Sequence, residues 1–540
     1  MAAAALSEIK MGSAAERRTF EMIDDEDEQA RQDLVKYGNE NDKRDMARMG
    51  KIQEMRRNFK SLTVLGFCAI VMCSWESLLS TASLALTNGG SAGLIYTWLI
   101  AWAGFNAVYA SMAEMASVAP TTGGQYHWAI LSYVVGWLGV LGWQTLVTSI
   151  AFQAGTEIQG LLALNYDGYV FERWHGTMFV VAIILFALFF NTLLASRLNL
   201  VEGAILVVHI FGFFCMLVPL WVLSPRTPSS IVWTEFHDGG WNNTGLATLI
   251  GLITSVLPLL GADASVHMAE EVQDAAQTLP KSMMWSINLN GLMGWLTAIT
   301  FCYCIGDLEQ VLKTKTGYPF IQVLFNVTES YQATNFLTSV VLLMNTFSCV
   351  TIMAGASRQM FAFGRDKGLP CSGWLSQVHP RLGVPVNAVV LSAVISTLLS
   401  LINIGSTVAF NSLVSLGSGT LMISYIVCIG CFAWRRCQGG PEALPPAKWS
   451  LGAWALPVNV IAICYLLLVF IIAFFPSVPL PALRAQSMNW SSVILTMVVV
   501  WAMAYYFIWS RHVYQGPVKF VQKLGDAPDL SRGSQQSRTL

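Results

Sequence analysis

The sequence predicts an all-α integral membrane protein with about twelve membrane-spanning helices. Two observations carry that prediction. Of the 540 residues, 54% are hydrophobic and 12% are charged, against about 25% charged in a typical soluble chain. The apolar residues also fall in windows of about 20 or more, the length a helix needs to cross a bilayer.

In chain order, residues 1–60 are charged and poor in aromatics, with an acidic run from Asp24 to Glu28. They read as a mostly disordered tail. They lack the basic stretch and apolar core of a cleavable signal. Arg56, Arg57 and Lys60 flank the first window and assign this end to the cytoplasm. The windows then run 61–86, 92–118, 128–162, 175–195, 199–223, 244–272, 281–304, 335–363, 385–404, 406–434, 456–476 and 489–510. The third is long enough to tilt or to include an interfacial segment, and a short polar step near Gly405 divides the ninth from the tenth. Residues 511–540 form a second cytoplasmic tail.

That topology can be checked against residue types outside the windows. With the amino terminus inside, Arg197, Arg358, Arg365, Lys367, Arg381, Arg435, Arg436 and Arg511 all fall on the cytoplasmic side. The glycosylation sequons at Asn242, Asn326 and Asn489 all fall outside.

Two windows carry a carboxylate where hydrocarbon tolerates it least. Cys73-Ser74-Trp75-Glu76 interrupts the first, and Pro258-Leu259-Leu260-Gly261-Ala262-Asp263 interrupts the sixth. A charge at the bilayer centre costs about 2.5–3.5 kcal/mol on insertion scales, so it marks a pathway or a binding cavity. Small and helix-breaking residues beside each acid point to discontinuous helices, whose exposed backbone ends build ligand sites near the midplane. Ser74, Trp75, Glu76, Gly261, Ala262 and Asp263 are therefore the candidate substrate contacts, with Gln144 of the third window and Asn345 of the eighth. Asp263 is equally suited to cap the helix that follows it. Glu76 would meet either a helix amino end or a cationic amine. Asp263, His267, Glu270 or Glu271, and Asp274 recur at helical spacing, predicting one polar helix face leading out of the membrane. Glu76, Asp263 and His267 are the candidate proton-coupling groups. Trp75, Trp143 and Phe347 would suit an aromatic surround for an ammonium group.

Other chemistries find little support. Cys428 and Cys431 form a CxxC in an apolar window with no second ligand pair, so no metal is expected. No phosphate-cradling loop and no nucleophile-base constellation is legible, so neither ATP hydrolysis nor an enzyme is expected. The net charge of −1 favours no nucleic-acid partner. No cofactor is implied.

Several motifs, taken in order, resemble the amino acid–polyamine–organocation superfamily. They are Pro120-Thr121-Thr122-Gly123-Gly124-Gln125-Tyr126, then Ser357-Arg358 with Ala362, Arg365-Asp366 and Gly368-Leu369-Pro370, and then His379-Pro380 with Gly383-Val384-Pro385-Val386-Asn387-Ala388. Gly142-Trp143-Gln144, Trp174-His175-Gly176-Thr177 and His267-Met268-Ala269-Glu270-Glu271-Val272 are similar to the fungal amino acid/choline branch, which includes choline transport proteins and GABA permeases. The connection from His127-Trp128 to Tyr133 is shorter than is usual in that branch. The resemblance implies a five-plus-five inverted repeat of the LeuT type, with 61–223 mirrored by 244–434 and two helices added at 456–510. It also implies a plasma-membrane carrier taking up a small amine such as an amino acid, GABA or choline together with protons. An exporter of a specialised metabolite and a non-transporting nutrient sensor are the alternatives. Oligomeric state is not legible in the sequence.

Overall fold

The computed structural model describes residues 38–128, 131–439, 444–476, 478–479, 482–484, 488–514 and 516. The acidic run at Asp24 and nearly all of the second tail lie outside them. The regular structure among the described residues is helical, apart from two isolated backbone bridges, Phe59 with Val272 and Asn88 with Asp238.

A short helix α1 (Glu40–Arg48) precedes the bundle. The bundle comprises α2 (Ser61–Met72) with α3 (Ser74–Thr87), α4 (Gly90–Val118), α5 (Ser132–Asn165), α6 (Arg173–Thr192), α7 (Leu198–Leu223), α8 (Thr244–Val256) with the single turn α9 (Ala264–His267), and α10 (Ala275–Cys304). It continues through a short α11 (Pro319–Thr328), then α12 (Tyr331–Arg365), α13 (Val386–Gly405), α14 (Thr407–Gly439), α15 (Ala455–Ile472) and α16 (Ser491–Ile508). Eleven helical segments among the described residues are long and apolar enough to cross a bilayer. Helix α10, at 30 residues, supplies a twelfth of like length, its apolar content diluted by Lys281, Asn288 and Asn290. The divide near Gly405 holds, because Ser406 is extended between α13 and α14.

The two bridges mark the two ends of the bundle. The first window climbs from Phe59 to Asn88, and the sixth returns from Asp238 to Val272, antiparallel to it. The mirrored pairing extends outward. Helix α8 packs on α3 and α9 on α2, while α4 packs on α10, α5 on α12 and α6 on α13. Four of the first five crossings thus lie against their counterparts in the second five, the arrangement an inverted repeat would give, while α7 packs instead on α2, α10 and α12. Lipid-facing stripes remain on the outside, for example Phe211, Phe214, Val218, Trp221 and Val222 along α7.

One expectation is corrected here. Residues 38–60 are not a loose tail but are packed against the amino end of the bundle. Asn39 and Asp42 form a capping box on α1. Asp42 then accepts the amides of Asp274 and Ala275 at 3.0 and 3.2 Å, capping α10 from a distance. Arg57 is buried, 3.3 Å from Asp42, and donates to the carbonyls of Ala269 and Val272. Composition misled because, beyond their own pair, Asp42 and Arg57 bond to backbone groups more than two hundred residues away.

Candidate functional site

The first break is a single-residue kink. Cys73 adopts φ +41 between α2 and α3, while its amide still reaches the Ala69 carbonyl at 3.1 Å and its carbonyl accepts the Ser77 amide at 2.9 Å. A cap comes from α10. The Ser74 hydroxyl donates to Asn290 Oδ1 at 2.6 Å, and Asn290 Nδ2 lies 3.4 Å from the Ala69 carbonyl.

The second break is wider. Helix α8 tightens into one 3₁₀ turn over Leu257–Leu259, Leu260 is extended, and Gly261 takes φ +111, where L side chains are strained. The orphaned groups converge on one side chain. The Tyr109 hydroxyl accepts the amides of Gly261 and Ala262 at 2.8 and 3.2 Å and donates to the Leu259 carbonyl at 2.8 Å. The two breaks touch: a Cβ on Gly261 would stand 2.7 Å from Val71, the penultimate residue of α2.

Between them lies a cavity of about 230 Å³. Val71, Met72, Ser77, Ser80 and Thr81 line it from the first broken helix, Ser149, Phe152 and Gln153 from α5, and Leu257 and Leu260 from the second break. Tyr318, just before α11, completes the wall at the far end. The polar groups on its surface are neutral hydroxyls and amides.

The candidate site residues fall in different places around the breaks. Ser74 and Gly261 stand at the two breaks without lining the cavity. Asn345 lies one bond behind the cavity, 2.8 Å from Glu157 and 3.5 Å from the Ser80 hydroxyl, with its carbonyl 3.4 Å from the Cys73 thiol. Glu76 is fully buried and its Oε1 lies 2.7 Å from His209 Nδ1, so a histidine answers it. Asp263 does not cap α9 with its side chain. Its carboxylate instead accepts Gln125 Nε2 and the Tyr425 hydroxyl, each at 2.5 Å, fastening the second break to α14 and to the Gly124-Gln125 loop. Ala262 lends its carbonyl to Cys68 and Ser265. Gln144 is turned toward α13, 3.0 Å from Ser392, and does not join the breaks. The aromatic trio does not assemble either. Trp75 stacks near His209, Trp143 meets His267 edge-on, and Phe347 packs with Phe186 and Phe190.

The polar stripe after Asp263 is also not one helix. One turn of α9 gives way to a 3₁₀ turn over Ala269–Glu271 and then to extended Val272. Each member has a partner elsewhere. His267 Nδ1 lies 2.9 Å from the Thr122 carbonyl, and Asp274 is 3.1 Å from Lys448. Glu270 holds Arg365 through two bonds of 2.6 and 3.0 Å, and Glu271 holds Arg358 at 2.9 Å. Burial alone would raise the Glu270 carboxyl, but the Arg365 charge and hydrogen bonds overcome it and hold the group below the ordinary carboxylate range. Lys51 and the Tyr126 hydroxyl both reach Asp366, and Gln53 donates to the Glu270 carbonyl at 2.6 Å. The arginines of Ser357-Arg358 and Arg365-Asp366 thus bolt α12 to the segment that follows the second break, on the amino-end side of the cavity.

Sequence reasoning missed Tyr109, Asn290 and Glu157. Glu157 and Asn290 were visible as polar residues in apolar windows. Nothing distinguished Tyr109 from the other tyrosines.

Comparison with known proteins bears on the same region. The family model for amino acid permeases matches residues 58–503. A predicted amino acid/polyamine transporter of Macrophomina phaseolina is 32% identical over 79% of this chain and 97% of its own length. The amino-acid permease BAT1 of Arabidopsis thaliana is 27% identical, covering 87% of this chain and 95% of its own. The choline transporter of Saccharomyces cerevisiae is 25% identical, covering 84% and 81%.

Proposed function

The chain belongs to the amino acid permease family, and from that premise we propose that it carries a small amine or amino acid across the membrane by secondary active transport coupled to protons. One observation carries the reading: both interrupted helices line a single cavity, with the Arg365–Glu270 and Arg358–Glu271 pairs placed to close it on the amino-end side. A binding site sealed on one side is what alternating access requires.

The chemistry of the cavity narrows the substrate. The end of α2 is the negative pole of a half-helix and suits an ammonium group, while the start of α3 is a positive pole and suits a carboxylate. The neutral Ser77, Ser80, Thr81, Ser149 and Gln153 leave charge recognition to those poles. An amino acid, GABA or choline fits, in keeping with the relatives named for amino acids, polyamines and choline. Arg365, Arg358 and Lys51 gather at the amino end, and the three sequons at the far end. That division favours cytoplasmic termini and uptake at the plasma membrane.

The test is uptake of labelled choline, GABA and a panel of amino acids into proteoliposomes under an inward pH gradient. Accumulation that a protonophore abolishes supports the proposal. Accumulation indifferent to the gradient removes the proton coupling, and absence of transport for every compound removes the substrate class.

A further inference from the structure

Glu157 stands apart from the other intramembrane acids. It sits on α5, fully buried, and its Oε1 accepts the Ser80 hydroxyl at 2.5 Å and Asn345 Nδ2 at 2.8 Å. Its Oε2 is buried with no partner among the described residues. Glu76 has His209 beside it, and each oxygen of Asp263 has its own donor. Among the described residues Glu202 on α7 is similar, its Oε1 accepting the Thr351 hydroxyl at 2.9 Å and its Oε2 buried without a partner, but neither it nor Thr351 lines the cavity, whereas Glu157 is one hydroxyl away from it.

The groups facing it are few. Glu76 from α3, Cys73 at the kink and Tyr318 before α11 are the titratable side chains near it, with His209 of α7 behind Glu76. Helix α12 offers the neutral Asn345. Helix α6 packs here through Gly176 and Val180, and α13 and α14 meet α5 nearer the amino end, through Ser392, Thr420 and Leu421. A buried carboxylate without a counter-ion costs several kcal/mol, whereas the neutral acid in the same place does not. The empty oxygen is where a proton fits.

A route to the cavity is already in place. Ser80 lines the cavity wall and its hydroxyl touches Glu157. A hydroxyl both donates and accepts, so it can pass a proton by rotating. On the other side, Asn345 links Glu157 to Cys73, the residue at which the first helix bends. Charge on Glu157 is therefore tied both to the contents of the cavity and to the geometry of the break.

We propose that Glu157 is the proton-binding residue of this carrier, with Ser80 relaying the proton between it and the cavity. The inference rests on the proton-coupled reading above. Glu157 takes up its proton by way of Ser80 while the cavity faces the acidic side, and with the charge gone the carrier closes around substrate and proton together. On the other side the carboxyl turns Oε2–H toward the Ser80 oxygen, Ser80 gives its own proton to water in the cavity, and proton and substrate leave together.

The experiment compares wild type, Glu157→Gln and Ser80→Ala in proteoliposomes, reading pH-gradient-driven accumulation and substrate-for-substrate exchange at equal pH. Glu157→Gln, a permanent mimic of the neutral acid, is expected to lose gradient-driven accumulation at least tenfold and flatten the pH profile while still exchanging substrate. Ser80→Ala is expected to slow gradient-driven uptake more than exchange. If wild type ignores the gradient, the proton-coupled reading fails and takes this inference with it. If wild type follows the gradient and Glu157→Gln follows it equally, this inference alone is overturned. Replacing sodium with N-methylglucamine is expected to change nothing; a sodium requirement lost in Glu157→Gln would mean that the site holds a metal cation and would also overturn it. Should Glu157→Gln not fold, substrate-induced proton uptake by solubilised wild type and Ser80→Ala decides: equal rates in the two would overturn the relay.

Discussion

The Tyr109 hydroxyl replaces a missing turn of helix at Gly261, accepting its amide at 2.8 Å while donating to the Leu259 carbonyl at 2.8 Å. One side chain from α4 thus satisfies both sides of the second break. Tyr109→Phe keeps the ring and removes the hydroxyl, leaving buried backbone groups unpaired at about 1–3 kcal/mol. The expected result is a lower melting temperature in detergent and weaker substrate binding. An unchanged melting curve and affinity would show that the break is held by other contacts.

Gly261 makes its own prediction. Alanine there must hold φ +111, which costs about 1–2 kcal/mol, and place a Cβ 2.7 Å from Val71. Gly261→Ala is expected to lose substrate uptake almost completely. Val71→Ala in the same chain is expected to restore part of it by removing the clash, and uptake assays on the single and double variants check both.

The Arg365–Glu270 pair is expected to keep the amino end closed. Removing one partner of such a buried pair costs about 3–5 kcal/mol in the state that holds it. Glu270→Gln is therefore expected to expose the buried Cys68, behind the bolt, to a thiol reagent, as read by mass spectrometry. The pH dependence has a definite sign. The folded-state value of Glu270 lies below its ordinary 4.5, so the stabilisation is complete above that value and is lost only as pH falls through the depressed one. Wild-type Cys68 labelling should accordingly stay flat from neutral to mildly acidic pH, and a rise there would assign the bolt to another group.

The three sequons are expected to behave differently. Asn242 and Asn326 are exposed at the far end of the bundle. Asn489 instead donates to the carbonyls of Ala473 and Phe475 at 2.9 and 3.2 Å, closing the end of α15. In a glycosylating host, Asn242→Gln and Asn326→Gln should each remove an endoglycosidase-sensitive mobility shift. Asn489→Gln should leave mobility unchanged and lower stability by about 1 kcal/mol. A glycan on Asn489 would contradict the capping role.

Both breaks were legible in the sequence because in those two windows a carboxylate sits beside small and helix-breaking residues. The windows themselves gave the helices, and the basic loops gave the two ends. What the acids touch was not legible. Asp263 reads as a local cap, but its partners Gln125 and Tyr425 come from residues 138 and 162 positions away. The stripe from Asp263 to Asp274 has helical spacing, yet Arg365, Arg358 and the bridge to Phe59 supply tertiary partners, and the chain leaves the helix to reach them. Glu157 escaped notice because Gln153, Thr156 and Gln159 surround it, and a polar patch reads as a helix contact.

The seat of residues 38–60 sets an order of assembly. Their partners at Ala269, Val272, Asp274 and Ala275 leave the ribosome more than two hundred residues later. The part of the chain made early must therefore wait, undocked, until the sixth and seventh crossings are threaded. A nascent chain stalled before Ala275 has nowhere to put Asp42 and Arg57, and quality-control proteases would meet that segment as an open handle.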